Sequence, residues 1–259
     1  MGERSTSEIL DVLRSAHSRF VAAFDSLDEE ELTRPSYDDG WSVAQVASHL
    51  GSGTEIFRHH LEAGGLGDPA PDGINEPIWE AWNAKSPGQQ VRDAVAVVTA
   101  FLEAAETMPE DRKAAWRLEL FGLDLDLEGF LRMRLNEHAV HTWDVTVALD
   151  PASTIAPNAA ALLADSLPAI AGWAGKPSDE QVSVEVRTTS PELAFRLDLG
   201  PGGVTLTPSL DDTATSSLTL PTEAFVRLVY GRLDHEHTPA SVAAKGVDLD
   251  LLRAVFPGF

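Results

Sequence analysis

The chain has no cysteine among its 259 residues. Disulfides and thiolate metal sites are therefore both excluded, and any metal must be held by His, Asp or Glu. Thiol chemistry, if there is any, must be done by a thiol that arrives from outside. No apolar run approaches the ~20 residues that a membrane helix needs. The start, Met1-Gly2-Glu3-Arg4-Ser5, lacks the basic-then-apolar pattern of a secretory signal, so a cytoplasmic protein is expected. Positive charge is also scarce: 19 Lys and Arg stand against 41 Asp and Glu, a net charge of -22. That balance argues against nucleic acid and anionic membrane as partners. Residues 1–150 carry 28 acidic and 12 basic side chains, and residues 151–259 carry 13 and 7. An anionic substrate would be repelled at long range and would need local arginines. No internal repeat or low-complexity tract is present.

What is present is an ordinary globular balance, 43% hydrophobic and 23% charged, long enough for one large domain or two ordinary ones. The first 150 residues read as helical. Ile9, Leu10, Leu13, Phe20, Val21 and Phe24 give a first amphipathic segment over about 7–27. Ser42, with Gln45 three positions on, forms a capping-box pattern opening a second helix toward Leu61. Residues 63–77 read as a connection and the Trp79/Trp82 segment as a short helical piece. Ser86-Pro87 starts a third long helix, striped by Val91, Val95, Val98 and Leu102. After a loop near 108–110, Asp126 can cap a fourth helix running to about Leu149. Four such helices suggest a bundle.

Asp150-Pro151 marks the expected boundary, giving domains 1–150 and 151–259. A helix over 156–174 precedes a change of period from 3.6 to 2. Val182, Val184 and Val186, then Leu193, Phe195, Leu197 and Leu199, alternate with polar residues; Val204 with Leu206 and Leu218 with Leu220 add two more strands. Helices over about 222–232 and 248–256 complete a smaller α+β domain with an antiparallel sheet.

The chemistry concentrates on the second and fourth helices. Glu137 and His141 are four residues apart, so both project from one helix face. His49, set among Val46, Ala47 and Leu50, offers a third donor from a face that should be buried. One carboxylate and two imidazoles suit a divalent transition metal with one position left open. Without further context, an i, i+4 charged pair is also an ordinary helix stabiliser, and a core histidine can simply bond a backbone oxygen. Asp144, one turn past His141, can hold that ring through its other nitrogen or be a solvated helix residue. Arg134, one turn before Glu137, can flank the site and contact a cofactor or pair with an acidic neighbour. His138 must point about 100° away from Glu137. His59 and His60 read as surface residues, Trp41 and Trp143 as packing residues, and His235-x-His237 as a weak metal pair.

The segment Gly40-Trp41-Ser42-Val43…His49-Leu50, joined to Glu137-x-x-x-His141-x-x-Asp144, resembles the mycothiol-dependent maleylpyruvate isomerase family within the DinB-like four-helix metalloproteins. The likeness extends to Leu228-Val229-Tyr230-Gly231-Arg232-Leu233 and to the ending Asp250–Gly258, in a module resembling sterol carriers. It implies zinc on His49, Glu137 and His141, and mycothiol, a low-molecular-weight thiol of actinobacteria, as cofactor or co-substrate. It further implies that Arg232 faces substrate and binds its carboxylate; the alternative is an arginine offsetting a helix C-terminus. The expected activity is isomerisation of, or S-transfer to, a small electrophile. A metal-dependent hydrolase or a thiol transferase not using mycothiol, and a non-catalytic small-molecule binder, remain as alternatives, and either a monomer or a homodimer is compatible.

Overall fold

The structure, a computed structural model, describes residues 5–25, 27–64, 73–209, 214 and 216–258. The chain divides into two compact units, Met1–Ser153 and Thr154–Phe259.

In the first unit, α1 (Thr6–Phe24) is capped by Ser5 and buries Ile9, Leu13 and Phe20. A short α2 (Glu29–Thr33) follows behind an Asp28/Glu31 capping box. The next helix, α3 (Val43–Ala63), starts at the expected cap: the Ser42 hydroxyl accepts from the Gln45 amide, and the Gln45 side chain accepts from the Ser42 amide. This double bond at the first turn sets the helical phase that delivers His49 two turns later. Of the connection expected at 63–77, residues 65–72 lie outside the described residues, and 75–77 already belong to α4 (Asn75–Asn83). Trp82 of α4 packs on α3 at Gly51, where a Cβ would fall 2.3 Å from the indole, and donates to Glu55 at 2.7 Å.

The third long helix is α5 (Pro87–Glu106), again opened by a capping box, Ser86/Gln89. Between it and the last bundle helix the chain forms α6 (Glu110–Ala115) and a hairpin, β1 (Arg117–Leu120) with β2 (Leu123–Asp126). The hairpin was not expected. Its signal was there, since Leu118, Leu120, Leu123 and Leu125 alternate with charged residues around Phe121-Gly122, both of which adopt positive φ. Finally α7 (Leu127–Leu149) begins at Asp126, whose carboxylate accepts from the Gly129 amide. Helices α1 and α3 each pack on α5 and α7, so the order around the bundle is α1-α5-α3-α7. This makes α3 and α7 neighbours, and their facing sides carry His49, Glu137 and His141.

In the second unit the expected helix over 156–174 is broken into α8 (Pro157–Leu163), a 3-10 turn at Ala164–Ser166, and α9 (Leu167–Ala174). Pro168 accounts for the break: it has no amide to bond back into the preceding turn. The sheet has five strands, β3 (Val182–Thr189), β4 (Ala194–Gly200), β5 (Gly203–Pro208), β6 (Ser216–Pro221) and β7 (Ala243–Lys245), ordered β5-β4-β3-β6-β7. Three neighbouring pairs are antiparallel, and the central β3–β6 pair is parallel. Helix α10 (Thr222–Val229) packs on β3 and β6 and against α8, and α11 (Leu249–Val255) ends the unit. Gly231 has φ +73°, and a Cβ there would lie 2.2 Å from the Gly258 nitrogen, so residues 257–258 close directly over the 231 corner. Among the described residues no helix is long and apolar enough to cross a membrane.

Candidate metal centre

Helix α7 buries polar side chains where an ordinary core helix buries apolar ones: Arg134, Asn136, His138 and Asp144 are all inside. Polar groups pay for such burial only through partners, so their positions mark where the bundle does something other than pack.

The three sequence-predicted donors meet. His49 Nε2 lies 3.4 Å from Glu137 Oε2, and His141 Nε2 lies 3.7 Å from the same oxygen. One ligand atom from each residue falls within 4.8 Å of the other two. Donors set tetrahedrally at ~2.0–2.1 Å from one ion are about 3.3 Å apart, and the two imidazole–carboxylate distances come close to that spacing. The imidazole rings are 4.6 Å apart and nearly perpendicular, which aims both Nε2 atoms at the carboxylate without stacking. His49 and Glu137 retain side-chain exposures of 35% and 39%, so one side of the cluster stays open to incoming molecules.

Asp144 is fully buried, and its Oδ2 lies 2.8 Å from His141 Nδ1. This assigns the proton of a neutral His141 to Nδ1 and leaves the Nε2 lone pair facing Glu137. A second carboxylate, Asp38, comes within 3.3 Å of the same Nδ1. Asp38 was not singled out in the sequence. It sits on the turn before Ser42, where Gly40 takes φ +80°, the Trp41 amide donates to the Asp38 carbonyl, and the Tyr37 amide donates to the Asp144 carbonyl. The Asp-Asp-Gly turn directly before the capping motif is the local signal that could have found it. The same turn places Trp41 over the centre, its ring 5.0 Å from that of His49 and 6.5 Å from that of His141. Trp143 is a packing residue as expected, but Trp41 is not: it is 37% exposed and forms a wall beside the ligand rings. The difference arises because Trp41 lies on the turn before α3 and not in a helix.

Electrostatics follow from this packing. Burial alone would lower His141, but its Nδ1–H hydrogen bonds to Asp144 and Asp38 and the charges of Asp144 and Glu137 outweigh it and push the ring up to about 9. Burial would raise the Glu137 carboxyl, yet the hydrogen bond with His49 and the nearby charges of His141, His49 and Arg134 hold it down at about 2. His49 is lowered, chiefly by burial and further by the charges of His141 and Arg134. The centre is thus a carboxylate flanked by imidazoles of opposite tendency, and an ion binding there takes the place of the proton on His141.

The other candidates fall elsewhere. Arg134 is buried beside the centre, its Nη2 donating to the Leu50 carbonyl at 3.2 Å. His138 points away as expected and meets His17 and Phe20 in the core. His59 is exposed, while His60 is half-buried against Phe57. Each member of the His235/His237 pair engages a carboxylate, Asp250 and Asp234 respectively, and among the described residues they join no metal-binding group. Arg232 belongs to the second unit, just past the end of α10. It is buried, with Nη1 donating to the Tyr230 carbonyl at 2.9 Å.

An α1-α5-α3-α7 bundle presenting a His–Glu–His set from two adjacent helices defines a class, the four-helix bundles whose facing helices could hold a metal ion. Residues 13–146, just over half the chain, match the family described as mycothiol maleylpyruvate isomerase N-terminal domain, and the chain belongs to that family. No curated protein matches it. Among solved structures, the chain is similar to the crystal structure of the mycothiol-dependent maleylpyruvate isomerase, with a TM-score of 0.69 and 14% identity over 95% of each chain. A histidine-to-alanine mutant of that isomerase gives 0.68 at 14% identity and the same coverage. At such identity the likeness establishes the fold of both units.

Proposed function

We propose that this chain is a metal-dependent enzyme that uses mycothiol to isomerise a small electrophile of the maleylpyruvate kind, or to transfer the thiol to it. Zinc is the proposed metal, with His49, Glu137 and His141 as its ligands. The observation that carries the reading is the convergence of those three donor atoms within 4.8 Å, in a chain of the mycothiol maleylpyruvate isomerase N-terminal domain family. When bound, such a metal supplies Lewis acidity and lowers the proton affinity of a thiol at its open position, which makes the thiolate available at neutral pH.

The chain's own residues do the rest. Asp144, with Asp38 behind it, fixes the tautomer and the aim of His141. Trp41 excludes water from one side of the centre and offers an aromatic wall. Arg134 adds a cation beside it, and Arg232, in the second unit, is proposed to bind an anionic group, as the sequence resemblance implies. The absence of cysteine is in keeping with a nucleophile that arrives as co-substrate. The reading places the protein in the cytoplasm, as a monomer or homodimer whose partners are small molecules rather than nucleic acid.

Metal analysis of the purified protein beside H49A and H141A tests it, with thiol consumption followed in parallel. One equivalent of zinc is expected in the unmodified protein and little in either variant, with helical circular dichroism unchanged in all three. A protein that stays metal-free after incubation with zinc would overturn the reading. Metal binding with indifference to mycothiol would redirect it to water-based hydrolysis.

A further inference from the structure

We infer that the Arg134 guanidinium is the receptor for a carboxylate on the electrophile, held in the groove between α3 and α7 next to the His49–Glu137–His141 centre. The inference rests on the reading above for the electrophile, and on the following for the residue. Arg134 is 2% exposed, so its charge has left water almost completely. A buried guanidinium has five N–H donors to satisfy. Here Nη2 donates to the Leu50 carbonyl, which already accepts from the Thr54 hydroxyl at 2.6 Å, and Nε is sealed from solvent with no acceptor among the described residues.

Among the described residues no carboxylate forms an ion pair with this cation, and Glu137 acts on it only as a nearby charge. The nearest acid, Glu137, is turned to His49 and His141. Once an ion occupies the centre, the charge of Glu137 is committed to it, while Asp144 and Asp38 hold His141. A cation that is buried, under-bonded and next to a metal-binding cluster is set up for an anion, and a planar fork is shaped for a carboxylate.

The surroundings fit closely around that fork. Gly53, one turn beyond His49 on α3, lies so close that a Cβ there would sit 3.3 Å from Nη1. Phe57, a further turn on, sets its ring 5.7 Å from the guanidinium carbon and so backs it with an apolar surface. A local cation is also what the global charge requires: with a net charge of -22, an acidic ligand is repelled until it meets a fixed positive group.

Titration calorimetry with maleate on the zinc-incubated full chain tests the assignment, with the uncharged maleamide as control and metal content measured on every sample. Maleate should bind and maleamide should bind at least tenfold more weakly. Arg134→Gln should lose at least tenfold in maleate affinity at unchanged metal content, and Arg134→Lys should recover part of it, keeping the charge without the fork. Gly53→Ala, which leaves every charge in place and suits a helix, should also weaken maleate binding by crowding Nη1. Equal maleate affinity in Arg134→Gln and the unmodified protein would overturn the inference, as would equal binding of maleate and maleamide. Indifference to mycothiol would count against the proposed reaction alone, because maleate binding is read without the thiol.

Discussion

Asp144 shows how a single buried carboxylate governs the centre. It has no exposed side-chain surface, and its 2.8 Å contact fixes the ring of His141. Asp144→Asn keeps the shape and removes the charge. Partners of this kind are worth roughly 10–100-fold in metal affinity, and a loss in that range is the expected result of zinc titration. Asp38, at 3.3 Å and partly exposed, should cost less when changed to Asn. If the two variants lost equally, the contact distances would not be ranking the partners.

His17 sets a different kind of dependence. Its Nε2 lies 3.1 Å from the Thr99 hydroxyl, and it faces His138, Phe20 and the charge of Arg134. Burial, then the charge of Arg134, lower its pKa to about 4 from the ordinary 6.5. Between those two values the unfolded chain binds the proton and the folded chain does not. Stability is therefore complete above about pH 6.5 and falls as the pH drops toward 4, by an amount on the order of 3 kcal/mol. Urea unfolding of the unmodified protein and of His17→Leu at pH 7 and pH 5 checks this; the variant should show the smaller difference. At this scale the sequence showed the three donors by their residue types and spacing. Asp38 and Trp41 were hidden because a turn, not a helix face, brings them in.

At the scale of elements, α3 carries the most constraint. Its start is fixed by the Ser42/Gln45 box and its middle by the close seat of Trp82 on Gly51. Ser42→Ala should cost about 1 kcal/mol of unfolding free energy. Gly51→Ala should cost more, about 1–3 kcal/mol through overpacking, despite the better helix propensity of alanine. Denaturant titrations with the slope held equal separate the two. The long helices were legible because apolar stripes and caps agree with one another at α1, α3, α5 and α7. The β1–β2 hairpin was not, because strands of only four residues resemble a loop between helices. Likewise, the parallel β3–β6 pairing is set by the order of strands in space, which alternation alone does not encode.

For the whole molecule, the dominant quantity is charge. A net charge of -22 repels acidic ligands over a Debye length of about 10 Å at 0.1 M salt. Capture of an acidic electrophile should therefore speed up, by roughly two- to tenfold in kcat/KM, as salt is raised from 10 to 150 mM. A neutral electrophile should show no such rise, and equal salt responses for the two would remove the long-range field from the account.

The close seat of Gly258 on Gly231 also bears on what position 258 tolerates. Residues 257–258 act as a latch on the corner that leads into Arg232, with no side chain at either glycine to cushion a shift. A side chain introduced at 258, where φ is +93°, would press on the Tyr230–Gly231 corner and so reach the guanidinium through the backbone that carries it.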